Sequence, residues 1–194
     1  MGDEPGAVVD ALDLLPVGPL PEETLDAVTA RLSRHVALPC RALASSPTLV
    51  LPRLPGRGQI DAGALLTALE TTTEEPDRIL VGLTAEDLAT AVFTFVFGLA
   101  RTGGRAAIVS LARVDPTFYG LPPDPALRDQ RAVSEIRHEL GHLSGRGHCP
   151  DRSCLMSFAG TIDKADTRGE RFCSDCAREL PAWLSGPPFP PELV

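Results

Sequence analysis

Apolar residues recur along this chain with two periods, and their alternation sketches a mixed α/β order. Ala7 to Val17 mixes β-branched and apolar residues and ends at Gly18-Pro19, which predicts a first strand. Pro21-Glu22-Glu23-Thr24 then opens a helix, with proline in its first turn and acids at its positive end. Leu25, Val28, Leu32 and Val36 follow at spacings of three and four and give that helix one apolar face. Pro39 to Ala44 reads as a second strand. Ser45 to Gly58, rich in proline and glycine, reads as a loop.

The same reading places a helix over Asp61 to Thr71, with Leu65, Leu66 and Leu69 inward, and a short buried strand over Arg78 to Leu83. Ala89 to Ala100 is the longest apolar run, and Phe93 to Ala100 within it predicts a strand. Thr102-Gly103-Gly104 joins it to another strand over Ala106 to Ala112, a hairpin signal that makes the pair antiparallel. After a proline-rich loop over Tyr119 to Pro125 comes a long helix, Ala126 to Ser144, with Val133, Ile136, Leu140 and Leu143 on its apolar side. Gly145 to Cys173 has too little apolar content to hold itself. Phe172 to Leu184 predicts a final helix, and the tail GPPFPPELV reads as extended.

Composition narrows the partners. The 194 residues are 43% hydrophobic and 23% charged, an ordinary globular balance that permits a substantial core. Net charge is −8, and no basic stripe is present to neutralise phosphates, which argues against nucleic acid. No apolar run reaches the length of a membrane span, and the first residues lack the features of a secretory signal. The expected location is therefore cytoplasmic. Four of the five cysteines, Cys149, Cys154, Cys173 and Cys176, crowd the last quarter, and in a reducing compartment such a cluster favours metal over disulfides. Cys40 stands apart and reads as a small buried apolar residue. His35, near a helix end, reads as a C-terminal cation or surface residue.

The chemistry concentrates in His138-Glu139-Leu140-Gly141-His142-Leu143-Ser144-Gly145-Arg146-Gly147-His148. On a helix, residues i and i+4 share a face, so His138 and His142 can reach one zinc ion. Gly145 suits a left-handed helix stop, after which the chain can return His148 as a third ligand. A three-histidine site leaves one position open for water, the mark of catalytic zinc. Glu139 sits beside the first ligand and can take the proton of that water without binding the metal. Three of the four histidines fall within these eleven residues, which incidental histidines do not explain. The C-x4-C pair Cys149/Cys154 and the C-x2-C pair Cys173/Cys176 have the ligand spacings of a second, structural zinc, giving two per chain.

The pattern resembles the archaemetzincins, a branch of the metzincin zinc peptidases. Their string HExxHxxGxxHC, then CxM, then CxxC is matched by His138 through Cys149, by Cys154-Leu155-Met156, and by Cys173 and Cys176. The spacer after Met156 is one residue shorter than the family pattern. Upstream likeness is weaker: Gly58 to Ala62, Val81 to Thr84 with Asp87-Leu88, Phe95 to Ala100, and Arg131 to Arg137. The resemblance implies a zincin-like fold of mixed α/β (α+β) class. Its parts are a twisted mixed sheet of about five strands, an active-site helix and a small zinc-stapled C-terminal subdomain. The implied division is residues 1–145, ending in the active-site helix, and 146–194, carrying His148, the four cysteines and a Met-turn at Met156.

By the same resemblance Phe95, Val96, Phe97 and Gly98 belong to the edge strand above the cleft, where a substrate peptide can add as a strand. The implied activity is peptide-bond hydrolysis, aminopeptidase-like on small peptides. The alternative is a zinc protein that binds a peptide or protein partner without cutting it. That alternative draws on Phe158, which stands where some metzincins place a transition-state tyrosine. Tyr119 is the only tyrosine. Oligomeric state is not legible.

Overall fold

The structure, a computed structural model, describes residues 9–45, 49–72, 75 and 77–185. The expected extended tail and the first two residues of the first expected strand lie outside the described residues.

A five-stranded sheet forms the frame, in the order β2-β1-β4-β7-β6. Its strands are β1 (Ala11–Pro16), β2 (Cys40–Ala42), β4 (Arg78–Thr84), β6 (Gly98–Ala100) and β7 (Ala106–Ser110). The first four pairings from the β2 side are parallel except the last: β1 lies parallel to β2 and β4, β4 parallel to β7, and β6 antiparallel to β7. The β6–β7 hairpin forms where the glycine pair predicts it, with Gly103 at φ 72° and the Gly104 amide bonded to the Arg101 carbonyl at 2.9 Å. Two short strands absent from the sequence reading, β3 (Ile60–Asp61) and β5 (Leu88–Ala89), pair with each other outside this sheet.

Strand alternation divides the core. Leu12, Leu14, Val81, Leu83, Ala107 and Val109 face one side, with α1 (Glu22–Leu32) and α3 (Pro125–Leu143) packed there. Leu15, Leu80, Ala106 and Ile108 face the other, against Leu65, Leu66 and Leu69 of α2 (Ala62–Thr72). The approach of α2 is close: a Cβ on Gly82 would stand 2.8 Å from both Leu69 and Ile108. Cys149, Cys154, Met156, Cys176 and Leu180 join the α1/α3 side, so the C-terminal segment shares that core.

The structure corrects two expected elements. Phe93 to Ala100 is a strand only from Gly98. Upstream, the Thr90 hydroxyl accepts from the amides of Val92 and Phe93, and the Gln59 side chain donates to the Thr94 carbonyl at 2.8 Å. These bonds arch the segment away from the sheet and leave Val92 and Phe93 exposed. The expected final helix is two, α5 (Ser174–Glu179) and α6 (Ala182–Ser185), because Pro181 supplies no amide and blocks continuation. Gly145 to Cys173 contains a helix, α4 (Ile162–Thr167), capped by the Thr161 hydroxyl. Among the described residues no helix is long and apolar enough to cross a membrane.

Candidate active site

Helix α3 carries the site and is tightly bounded. Its N-cap Asp124 accepts from the Leu127 amide at 3.0 Å, and Pro125 occupies the first turn. At the other end Gly145 adopts φ 88°. The Gly145 amide bonds to the His142 carbonyl and the Arg146 amide to the Gly141 carbonyl, both at 2.9 Å. That pair of bonds is a Schellman cap, which reverses the chain and carries it toward His148.

The three imidazoles converge. Ring centroids of His138 and His142 are 4.7 Å apart, those of His142 and His148 4.8 Å, and those of His138 and His148 5.3 Å. His138 Nδ1 lies 2.8 Å from the Leu155 carbonyl oxygen, and His142 Nδ1 2.7 Å from that of Arg146. A carbonyl can only accept, so each Nδ1–H donates and each Nε2 keeps its lone pair for the centre of the cluster. The two Nε2 atoms are 3.1 Å apart, close to the ~3.3 Å edge of a tetrahedral zinc site with ordinary Zn–N bonds. Burial, with Arg168 adding to it, lowers the acidity range of His138, and burial lowers His142 and His148. All three are therefore neutral imidazoles near pH 7, the form that binds metal.

Met156 is fully buried against α3, and Gly141 is required by it: a Cβ there would stand 2.3 Å from Met156 Sδ. Glu139 faces the cleft between α3 and β6, so close that a Cβ on Gly98 would lie 2.7 Å from its Oε1. Burial pushes the Glu139 carboxyl well above its usual range, the Glu135 carboxylate adds to this, and Arg168 opposes it.

A cavity of about 460 Å³ opens in front of the imidazoles. Phe95, Val96, Phe97 and Gly98 all line it, together with Glu139 and Phe158. Of these four edge residues only Gly98 belongs to β6, while Val96 makes an isolated antiparallel bridge to Leu88. Arg113 braces this wall, its guanidinium 4.2 Å from the Phe95 ring centre and paired with Asp87 at 2.7 Å. Tyr119 lies elsewhere, donating to the Arg113 carbonyl at 2.9 Å. Phe158 packs edge-on against His148, with centroids 5.3 Å apart.

Two cavity residues escaped the sequence reading. Glu135, one turn before Glu139, pairs with Arg168 at 2.5 Å, and both side chains are buried. Arg168 Nη1 also lies 3.3 Å from the Ser157 carbonyl oxygen and 3.1 Å from His138 Nδ1. The pair ties α3 to the segment after Met156. Only the i,i+4 spacing of Glu135 and Glu139 hinted at it.

Cys149, Cys154, Cys173 and Cys176 form a second cluster, all free thiols, with sulfurs within 4.8 Å of one another. The Cys149–Cys173 sulfur separation of 3.8 Å equals the ~3.8 Å edge of a tetrahedron with ordinary Zn–S bonds. The Cys176 backbone amide brings the Cys173 thiol down to about 7. Four converging thiols and three neutral imidazoles are donor sets that suit zinc. Cys40 is half-buried on β2, away from both clusters. His35 is buried, unlike the surface cation expected, and burial lowers its proton affinity.

Comparison with known proteins identifies relatives of this chain. Residues 31–182 match the model of peptidase family M54. The archaemetzincin of Methanopyrus kandleri is 48% identical over 124 residues, which is 64% of this chain and 67% of that protein. The crystal structure of the archaemetzincin from that organism aligns with a TM-score of 0.70 at 36% identity, covering 90% of this chain and 94% of the other. The crystal structure of a zinc-dependent peptidase from Methanocorpusculum labreanum aligns with a TM-score of 0.78 at 27% identity, covering 88% of this chain and 100% of the other.

Proposed function

The chain belongs to peptidase family M54, the archaemetzincins, and from that premise we propose that this zinc-dependent metallopeptidase works through His138, His142, His148 and Glu139. The three histidines would hold one zinc ion, His138 and His142 through the Nε2 atoms that face each other. Bound there, zinc supplies Lewis acidity to a water molecule and to the scissile carbonyl oxygen. Glu139 takes the proton of the attacking water on its carboxylate and passes it to the departing amine.

The observation that carries this reading is the convergence of three imidazoles beside a buried carboxyl group on a peptide-sized cavity. The apolar wall from Phe95 to Gly98 offers backbone to an extended peptide, and the small volume favours short ones, cut in an aminopeptidase-like manner. Cys149, Cys154, Cys173 and Cys176 hold the second zinc, whose role is to fold the segment that returns His148.

The test compares zinc-loaded wild type with Glu139→Ala on a peptide library with free and acetylated N-termini. A loss of roughly 10²–10⁴-fold in rate, with zinc retained, is expected for removal of a general base. Equal cleavage by the two proteins removes Glu139 from the chemistry. Equal cleavage of free and acetylated peptides removes the aminopeptidase reading.

A further inference from the structure

Arg146 touches both centres. It follows the helix-stopping Gly145, and its carbonyl oxygen lies 2.7 Å from His142 Nδ1. Its side chain turns the other way: Nε donates to Cys176 Sγ at 3.3 Å, and Nη1 pairs with Glu179 of α5. The same residue therefore orients one imidazole with its backbone and sets its guanidinium against one cysteine sulfur. Four thiolates around a divalent ion carry a net charge of about −2, so a cation on one sulfur favours the loaded centre.

A second connection runs beside it. The Leu155 carbonyl that holds His138 lies between Cys154 and Met156, and the Cys149 amide bonds to the Met156 carbonyl at 2.8 Å. The Arg146 guanidinium differs from this one in being a side chain, so it can be removed while the backbone path stays intact.

We propose that Arg146 is a positioning residue that couples the two centres, so that filling the cysteine centre raises the metal affinity of the histidine centre through its side chain. This rests on the two-metal reading above. When the cysteine centre is filled, the guanidinium is fixed against Cys176 and Glu179, the 145–146 turn is held, and the Arg146 carbonyl stays on His142. When it is empty, the guanidinium meets a neutral thiol in place of a metal-held thiolate, so that contact is weaker and His142 has a less constrained partner. By reciprocity, metal at the histidines tightens the cysteine centre by the same factor.

The full chain, freed of metal and kept reduced, is titrated with Co2+ before and after the cysteine centre is filled with Cd2+, a soft ion that thiolates prefer. Ligand-field absorption reads Co2+ at the histidines, and thiolate charge-transfer absorption reads any Co2+ among the cysteines. Wild type should bind Co2+ at the histidines about tenfold more tightly once Cd2+ is in place, within the usual range of coupling between sites. Arg146→Met should reduce that ratio to less than about threefold, leaving both absorption bands present. Arg178→Met, which removes an exposed guanidinium from α5, should leave the ratio at the wild-type value. If Arg146→Met does not fold, Arg146→Lys is titrated instead, and an intermediate ratio is expected.

A wild-type ratio near one overturns the coupling. A full ratio in Arg146→Met, or in Arg146→Lys where that replaces it, assigns the coupling to the backbone and overturns the role of the side chain. Absence of either absorption band in wild type overturns the two-metal reading itself, and the proposal with it.

Discussion

Order in the central sheet and order in the segment after Met156 have different sources. In β4 six of seven residues are buried, packed between β1 and β7 and covered by helices on both faces. Of the residues from Phe158 to Glu179, only Arg168 and Cys176 are buried. Hydrophobic burial is ample for the first region and scarce in the second, where α4 has no buried residue at all. Four thiols and a buried Arg168–Glu135 pair stand in for a core there. The chemistry sits on the seam, with His138 and His142 on α3 and His148 next to Cys149. The scaffold thus carries two of the three imidazoles, and a segment with little apolar core carries the third.

Stripping metal should separate the two regions most strongly. With a chelator and reductant present, backbone amides between Cys149 and Cys176 should lose hydrogen-exchange protection by a hundredfold or more, roughly, while β1, β4 and β7 keep theirs. Uniform loss across both regions, or none in either, breaks the contrast.

A smaller effect tests the contact where the regions meet. Gly141→Ala places a methyl group 2.3 Å from Met156 Sδ, deep in the shared core. Overpacking of this kind costs about 1–3 kcal/mol, so thermal unfolding should fall by several degrees, and zinc at the histidines should weaken as the Met156 turn is displaced. An unchanged melting temperature means that the turn has room to yield.

The smallest effect belongs to the sheet alone. Asp13 on β1 accepts paired hydrogen bonds from Arg41 of β2 and Arg78 of β4. Burial by itself would raise its carboxyl, but the two guanidinium groups prevail and hold it at about 2, below the ordinary 3.8. A folded-state value below the unfolded one contributes stability that is complete above the unfolded value. That contribution fades as pH falls from about 4 through about 2. It amounts to on the order of 1–2 kcal/mol, and Asp13→Asn should remove it at neutral pH while flattening the acid limb between those values. Denaturant midpoints measured from pH 2 to 7 check this, and a parallel acid limb in the variant contradicts it.

The two regions also differed in how far their sequence disclosed them. The β1, β4 and β7 strands and helices α1 to α3 announce themselves by period, because a face buried on a sheet must stay apolar. The two clusters announce themselves by identity, because no other residues can replace imidazole and thiolate at those spacings. Phe93 to Phe97 misleads for the converse reason: its apolar residues line a cleft, and local bonds to Thr90 and Gln59 set their path. Arg168 and Glu135 were hidden because a charged residue on a polar segment looks like surface until the fold buries it. His35 was misread in the same way.

Whether one chain holds two metal centres of different purpose is tested most directly by diffraction from crystals of the intact protein on either side of the zinc absorption edge. Two anomalous peaks per chain are expected, one bounded by the imidazoles of His138, His142 and His148 and one bounded by the four cysteine sulfurs. A single peak, with the cysteines joined as disulfides or the three imidazoles turned apart, would contradict it.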